Sequence, residues 1–377
     1  MVGALIRMTG DWTLAEDATQ DAFAAALTRW PSDGVPNNPA AWLMTAARNK
    51  AIDRIRSAGS ARRREKEVTL LATLQSDEHD IEDDRLRLIF TCCHPALALS
   101  ARVALTLRIV AGLTVSEIAA AFLVSESTMA QRLVRARRKV EDAGMPYRVP
   151  PAELLGERLD GVLAVLYLVF NEGYGGEQRN ELVDSALSMT RALVELMPGE
   201  SEARGLLALM LVQNSRRDAR LGPAGEQLTL EEQDRALWHR DEIERGLVAL
   251  SSASGRGAYV LQARIAACHA RAATADDTDW ASILALYDEL LALTPSPVIR
   301  LNRAIAVGML EGPDAGLALL DELRLDGYRW LPIAQGDLHR RAGRTAEAAQ
   351  RFRLALGLAA SDSERRELER RLAALDE

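Results

Sequence analysis

Residues Leu113–Val140 read LTVSEIAAAFLVSESTMAQRLVRARRKV, and this stretch decides the fold of the chain's first part. Thr114 can cap a helix with its hydroxyl, while Glu117, three residues on, can accept a hydrogen bond from the free backbone donor of Thr114. Ser125 can cap a second helix in the same way. The apolar positions of that second helix lie at helical spacing and are Met129, Leu133, Ala136 and Val140. The stretch therefore predicts a helix-turn-helix.

The outward face of the second helix is polar and basic, with no acidic residue between Ser127 and Val140. Its first turn suits hydrogen bonds to base edges in a major groove, and its later arginines suit phosphates. The alternative is a solvated basic face on an ordinary helical hairpin, which leaves the coincidence of two caps, a short turn and an arginine stripe unexplained. The candidate DNA-contacting residues are Ser127, Thr128, Gln131, Arg132, Arg135 and Arg138.

Two further helices are predicted upstream. Apolar residues recur at helical spacing from Leu14 to Trp30, and the predicted helix ends at Pro31. A second helix is predicted from Pro39, in its first turn, to Arg56. A second basic cluster begins in this helix and continues beyond it, and it comprises Arg48, Lys50, Arg54, Arg56, Arg62, Arg63, Arg64 and Lys66. The net charge of -8 does not exclude DNA binding, because DNA responds to the local field, which is screened beyond about 10 Å.

Composition sets the expectations for the whole chain. A length of 377 residues exceeds one compact core and fits two or three domains. Aromatic residues make up only 5%, and abundant Ala, Leu, Arg and Glu favour helix, so we expect an all-α protein. With three cysteines and no continuous apolar window of about 18 residues, we expect a soluble cytoplasmic protein without a membrane span.

Beyond about Arg148 the sequence reads as amphipathic helix with an internal repeat. The segments YDELLALTPSP at Tyr287, LDELRLDG at Leu320 and FRLALGLAAS at Phe352 lie about 33 residues apart. This period is close to that of tetratricopeptide (TPR) repeats, which have one helical hairpin per unit. Residues 222–257 fall out of register, so the number of repeats stays open.

Three motifs together resemble a known family. LAEDATQDAFAAALTRW at 14–30, NPAAWLMTAARNKAIDRIR at 38–56 and the stretch at 113–140 resemble, in order and spacing, the two domains of extracytoplasmic-function (ECF) sigma factors. The resemblance covers about the first 147 residues. The remainder resembles the TPR-like extension of one group in that family, through LYLVFNEGYGG at Leu166, LTPSPVIRLNRAIAV at Leu293 and WLPIA at Trp330.

The resemblance implies an architecture and a function. It divides the chain into sigma region 2 at 1–57, a linker at 58–84, region 4 at 85–147 and a regulatory extension at 148–377. Region 2 is expected to bind the clamp of core RNA polymerase and to open promoter DNA at the -10 element. Region 4 is expected to read the -35 element beside the polymerase flap. The extension is expected to bind a protein or peptide partner, and no catalytic residue, cofactor or metal is implied.

The resemblance also assigns contacts in region 2. Asp17, Gln20 and Asp21 match the polymerase-facing positions, and their i, i+3 and i+4 spacing puts them on one helix face. Without the downstream motifs, a solvated acidic helix would be the better reading. The loop at 31–41 has no aromatic residue on which a base could stack, so its amides are the groups available to read a flipped base. The expected -10 contacts are Asn37, Asn38, Arg48, Asn49, Arg54 and Arg56, and Trp42 is expected to be structural.

The chain departs from the family pattern in two places. Family members have about twenty more residues before ALIRMTGD at 4–11, so part of the first helix is expected to be missing. Ala130 and Gln131 replace the basic and small hydroxyl residues common in the recognition helix, which puts a standard -35 sequence in doubt. Gln131 could read adenine instead.

Other sites and functions are less well supported by the residues. Cys92, Cys93 and His94 with Cys268 and His269 lack paired C-x-x-C spacing, so we favour buried small residues over a zinc site. Residues 171–174 are expected to break a helix and to anchor a loop. Two rival functions remain, a helix-turn-helix regulator that acts without polymerase and a TPR-type interaction scaffold.

Overall fold

The computed structural model describes residues 1–57, 81–122, 124–145, 147–174, 179–359 and 361–375. These residues contain no β-strand, and an isolated bridge joins Leu221 to Gln227, so the predicted all-α class is confirmed. The chain divides into two compact units, Met1–Leu168 and Val169–Glu377. No helix in the described part of the chain is long and apolar enough to cross a membrane.

The first unit is built from short and medium helices around an apolar core. Its elements are α1 (Val2–Thr9), α2 (Trp12–Asp33), α3 (Pro39–Ser57), α4 (Ile81–Cys92), α5 (Leu99–Leu105), a π-helical turn (Thr106–Val110), α6 (Val115–Ala121) and α7 (Glu126–Asp142). Helix α8 (Ala152–Tyr174) begins in this unit and ends in the second. The largest fully buried side chains of the first unit include Leu5, Phe90 and Met129.

The predicted end of the first long helix at Pro31 is wrong. Helix α2 runs through Pro31 to Asp33 and ends at Gly34, whose φ of 82° suits glycine and whose N–H donates to the carbonyl of Trp30. Proline is tolerated here because it removes a single hydrogen bond in the last turns of the helix. Helix α3 begins at Pro39 as predicted. Of the predicted linker, residues 58–80 lie outside the described residues, and residues 81–84 form the first turn of α4.

The helix-turn-helix has the predicted local structure. Thr114 and Glu117 form the capping box: the Thr114 N–H donates to Glu117 Oε2 at 2.6 Å, and the Glu117 N–H donates to Thr114 Oγ1 at 3.2 Å. The Thr114 hydroxyl also donates to Glu117 Oε2 at 2.7 Å, and the two hydrogen bonds to this carboxylate lower the pKa of Glu117. Ser125 caps α7 by accepting from the Thr128 N–H at 3.2 Å. The buried residues of α7 are the four predicted ones, Met129, Leu133, Ala136 and Val140.

The second unit is a series of helices with one long irregular segment. It contains α9 (Asn180–Leu196), α10 (Ser201–Asn214), α11 (Arg240–Ser251), α12 (Ala258–Arg271), α13 (Trp280–Leu293), α14 (Pro297–Leu310), α15 (Pro313–Asp321), α16 (Trp330–Arg341), α17 (Thr345–Leu356) and α18 (Asp362–Ala373). Helices α13, α15 and α17 begin 33 and 32 residues apart, which matches the sequence period. Residues 215–239 carry only two short 3₁₀ turns, in the region that falls out of register.

Residues 171–174 do not break a helix, contrary to the sequence prediction. They continue α8 to its last residue, Tyr174. The Tyr174 ring stacks on Phe170 at 5.2 Å between centroids, and its hydroxyl donates to the Gln213 carbonyl at 2.9 Å. The Arg220 guanidinium lies over the Tyr174 ring, 3.7 Å from its centroid. The packing of Tyr174 therefore favours one more helical turn than the polar sequence suggests.

Candidate nucleic-acid interface

The predicted DNA-contacting residues of α7 share one exposed side of the helix. Ser127, Gln131, Arg135 and Arg138 are exposed, and Thr128 and Arg132 are half-buried. Met129 and Leu133 anchor the opposite side, since both are almost completely buried. The helix is thus held by its apolar stripe while the polar face stays open to a duplex.

Hydrogen bonds within α7 preorder its first turn. The Ser125 hydroxyl lies 2.8 Å from Thr128 Oγ1 and 3.1 Å from Ser127 Oγ. One turn later, Arg135 Nε donates to the Gln131 carbonyl at 3.3 Å. These contacts keep short polar side chains at the N-terminus of the helix, where backbone donors also suit phosphate oxygens.

Arg137 belongs to the same basic segment but points into the protein. Its Nη2 lies 2.6 Å from Glu16 Oε2, and Arg108 Nε lies 3.2 Å from the other oxygen of the same carboxylate. The three side chains are only 12% to 18% exposed. Sequence patterns do not reveal this cluster, because Glu16 lies 92 residues from Arg108 and no local pattern links them. Glu16 joins the upstream helix α2 to the helix-turn-helix.

Further contacts join α1 and α2 to the α4–α7 part of the unit. The Trp12 ring meets the Tyr147 ring edge-on at 6.3 Å, and the Tyr147 hydroxyl donates to the Asp84 carbonyl at 3.1 Å. The Asp84 side chain pairs with Arg7 at 3.2 Å. Gly3 allows this close approach, since a Cβ there would lie 2.6 Å from Tyr147 Oη. The two parts of the unit are therefore docked against each other.

The acidic residues of α2 are paired with a basic residue of α3. Arg54 Nη1 lies 2.5 Å from Asp17 Oδ2, and Arg54 Nη2 lies 2.8 Å from Asp21 Oδ2. These hydrogen bonds and charges raise the pKa of Arg54. All three side chains remain about 40% to 47% exposed, so the pairs are surface pairs worth about 0–1 kcal/mol each. Gln20 is exposed on the same helix.

The other predicted -10 residues lie along the loop before α3 and on α3 itself. Asn38 caps α3, since its Oδ1 accepts from the Ala41 N–H at 3.0 Å, which leaves its amide NH₂ as the group that could read a base. Asn37, Asn49 and Arg56 are exposed, and Arg48 is half-buried. Arg62, Arg63, Arg64 and Lys66 lie outside the described residues.

Trp42, expected to be structural, contacts another tryptophan. Its ring meets the Trp30 ring edge-on at 5.5 Å, so the pair fastens the start of α3 to the end of α2. This contact sets the position of the intervening loop, which carries Asn37 and Asn38.

The cysteine segment at the end of α4 is part of the core. Cys92 and Cys93 are almost completely buried, and burial raises the pKa of the Cys93 thiol to about 11. The Cys93 sulfur lies 3.5 Å from Thr106 Oγ1. Among the described residues no group of three or more His, Cys, Asp or Glu side chains could hold a metal ion.

Comparison with known families gives three matches along the chain. Residues 1–61 match Sigma-70 region 2, residues 87–140 match Sigma-70 region 4, and residues 158–254 match a family of unknown function, DUF6596. The helix-turn-helix and the α2–α3 pair thus lie inside the two sigma regions.

The chain is also similar to individual proteins. An uncharacterized protein of Rhizobium meliloti is 43% identical over 387 aligned positions, covering 96% of this chain and 90% of that protein. The probable ECF RNA polymerase sigma factor SigI of Mycobacterium tuberculosis is 27% identical over 191 residues, which is 47% of this chain and 65% of SigI. The ECF RNA polymerase sigma factor SigK of Mycobacterium ulcerans is 28% identical over 142 residues, 36% of this chain and 75% of SigK.

Proposed function

Since this chain belongs to the extracytoplasmic-function sigma factors, we propose that it binds core RNA polymerase in the cytoplasm and directs it to promoters through separate -10 and -35 contacts. In this proposal the protein makes and breaks no covalent bond, because RNA synthesis belongs to polymerase. The observation that best supports this proposal is the orientation of α7, whose buried apolar residues leave Gln131, Arg135 and Arg138 on one exposed face. That face suits the major groove of the -35 element.

The polymerase contact is assigned to α2. Asp17, Gln20 and Asp21 form a partly exposed acidic and polar face that fits basic clamp helices. Arg54 would have to leave both carboxylates before it could contact a phosphate. The cost of that exchange is about 1 kcal/mol for each surface pair, which several phosphate contacts can offset. Arg48, Asn49, Arg56 and the amides of Asn37 and Asn38 complete the proposed -10 surface.

Promoter binding requires the docked first unit to open. The -10 and -35 elements are named for their positions on the promoter, which lie about 25 base pairs apart. This spacing is roughly 85 Å of duplex at about 3.4 Å per base pair. The contact of Arg137 with Glu16 instead holds α7 directly against α2. We therefore propose that polymerase and promoter DNA bind an opened form, and that the docked form is inactive.

Run-off transcription tests the sigma function. Core bacterial RNA polymerase is combined with the full chain and fragmented genomic DNA, and the upstream sequences of new transcripts are compared. We expect two shared upstream elements, and we expect Arg135→Gln with Arg138→Gln to reduce transcription about tenfold or more. Arg300→Gln, an exposed substitution in the second unit, is the control. Absence of both transcripts and polymerase binding would contradict the proposal.

We further propose that the extension regulates the sigma part through α8. This helix begins in the first unit, where Arg158 Nη2 donates to the Phe90 carbonyl at 2.7 Å, and it continues into the second unit. Two truncations separate the possible effects: a chain ending at Arg148 lacks α8, whereas a chain ending at Leu168 keeps the part of α8 that packs on α4. If both truncated chains transcribe and bind polymerase like the full chain, the extension has no regulatory role.

The two rival functions give different results in the same experiments. A helix-turn-helix regulator would bind specific duplexes without polymerase and would leave transcription by core polymerase unchanged. An interaction scaffold would bind no specific duplex and would also leave transcription by core polymerase unchanged. The match of residues 1–61 to sigma region 2 favours the sigma function, because neither rival uses that region.

A further inference from the structure

The second unit contains a cavity that the proposed sigma function does not use. Its volume is about 490 Å³, within the range of about 300–1,000 Å³ typical of small-molecule sites. Residues 229–232 of the irregular segment form one wall, and residues of α12, α13, α14, α16 and α18 form the others. The apolar lining includes Trp280, Ile305, Met309 and Leu338. The cavity can therefore hold a molecule with an apolar body.

The charges that line the cavity do not balance. Five arginines face three carboxylates there. Glu231 pairs with Arg341. Glu232 pairs with Arg370 at 2.6 Å, and Asp337 pairs with Arg371 at 3.0 Å.

Arg340 shares its carboxylate, because Asp337 Oδ1 lies 3.6 Å from Arg340 Nη2 while Asp337 Oδ2 pairs with Arg371. Glu367, beside the cavity, also pairs with Arg370 at 2.7 Å and with Arg371. Among the described residues Arg235 makes no ion pair with a carboxylate, so the five arginines exceed the four neighbouring carboxylates by one charge, and this excess favours an anion.

Arg235 is held in a fixed position with one nitrogen unused. Its Nη1 donates to the carbonyls of His269 and Ala272, both at 2.8 Å, and its guanidinium lies 4.4 Å from the Trp238 ring centroid. Its Nη2 is buried and has no hydrogen-bond partner among the described residues. The guanidinium is therefore held rigidly in the cavity wall, where its positive charge acts on the cavity.

His269 lies beside Arg235 and also has an unused polar atom. Its Nδ1 is buried without a hydrogen-bond partner in the described part of the chain. Burial, followed by the charges of Arg216 and Arg235, lowers the pKa of His269 to about 4, so the ring is neutral near pH 7. The ring packs edge-on against Trp280 at 5.3 Å. A polar pair therefore lies next to an aromatic wall.

The segment at 229–232 is fixed as one wall of the cavity, because ion pairs from Glu231 and Glu232 fasten it to α16 and α18. A volume of about 490 Å³ is typical of a small-molecule site, so we take a small molecule as the occupant.

We propose that this cavity binds a small organic anion. Its carboxylate or phosphate headgroup contacts Arg235, with Arg340 supplying further positive charge, and its apolar or aromatic body packs on Trp280. This inference goes beyond the sigma function, and its test needs neither polymerase nor DNA, so each can fail without the other.

A fluorescent anion tests the proposal on the full chain. Anilinonaphthalene sulfonate is titrated into the protein, and bound dye is displaced with naphthoate, naphthyl phosphate or the neutral naphthalenemethanol. The variants are Arg235→Met and Arg340→Gln, with Arg300→Gln as a control outside the cavity. Arg340 is 45% exposed, so its substitution is expected to leave folding intact even if Arg235→Met does not.

We expect the anions to displace the dye and the neutral compound to fail at the same concentration. Each cavity variant should weaken the anion by about tenfold or more, since a charge-assisted hydrogen bond is lost, and Arg300→Gln should bind as the wild type does. Preferential displacement by naphthoate or by naphthyl phosphate would support the proposal and identify the headgroup. Equal displacement by the neutral compound, or unchanged affinity in both cavity variants, would overturn it.

Discussion

The docking of α7 on α2 should depend strongly on Glu16. The substitution Glu16→Gln keeps the size of the side chain but removes the charge that faces Arg108 and Arg137. It also replaces one of the two accepting oxygens with an NH₂ donor, which cannot accept from an arginine. At 3.2 Å and 2.6 Å and an effective dielectric constant of about 20, the two attractions are about 5 and 6 kcal/mol before desolvation. Desolvation offsets part of this, and loss of one partner of a fully buried pair costs about 3–5 kcal/mol. For side chains 12% to 18% exposed, we expect about 2–3 kcal/mol.

Hydrogen–deuterium exchange read by mass spectrometry measures this loss locally. A decrease of about 2–3 kcal/mol in opening free energy corresponds to roughly 30- to 150-fold faster exchange in α2 and α7. Helix α12, in the second unit, should exchange as before. Asp53→Asn removes an exposed carboxylate from α3 and should change little. If α7 exchanges within about threefold of the wild type after Glu16→Gln, Glu16 does not hold α7 on α2.

Three further predictions concern stability. Met129→Ala should lower the free energy of unfolding of the first unit by about 3 kcal/mol in urea titration, because Met129 is fully buried. Val134→Ala, on the same helix but at a residue that is 59% exposed, should change this free energy by less than about 0.5 kcal/mol. Equal effects would contradict the assigned faces of α7. Gly3→Ala should lower the free energy of unfolding of the first unit by about 1–3 kcal/mol, since the new Cβ would lie 2.6 Å from Tyr147 Oη and 2.9 Å from Leu88 Cδ1. Gly156→Ala in α8 has open space around the new Cβ and should raise this free energy by about 0.5–1 kcal/mol, as measured by thermal unfolding. The pKa of His269 is about 4 in the folded protein and 6.5 in the unfolded chain, so the unfolded chain binds more protons between these pH values. The free energy of unfolding of the second unit should therefore fall by up to about 3 kcal/mol as the pH drops from 6.5 to 4. His269→Phe should flatten that pH dependence, and an unchanged slope would argue against a buried neutral imidazole.

Local patterns predicted the helix-turn-helix well because its determinants are close in sequence. The capping box needs only Thr114 and Glu117, and the buried stripe of α7 repeats every three or four residues. The same holds for the hairpin period in the second unit. Such features follow from backbone geometry and burial within one element or one hairpin.

Features that depend on distant partners could not be predicted in this way. Arg137 reads as one more cation of a DNA-binding segment, yet Glu16, on another helix, turns it inward. From the sequence Arg54 is predicted to contact a phosphate, yet on α3 it pairs with Asp17 and Asp21 of α2. The cavity around Arg235 requires five helices and an irregular segment to meet. Charge composition gives the number of cations but not which of them are already paired.

The open face of α7 predicts a specific functional consequence of Glu16→Gln. Gln131, Arg135 and Arg138 are already exposed in the docked unit, so an isolated -35 duplex should bind the wild type and the variant with the same affinity. Transcription needs both elements at once, so it should increase when the docked form is destabilised, by at most the 30- to 150-fold shift in the opening equilibrium. Arg137→Gln breaks the same contact and serves as the matched variant, since Arg137 lies off the exposed face. Improved duplex binding by either variant would mean that docking covers the -35 surface, and unchanged transcription in both would mean that opening does not limit initiation.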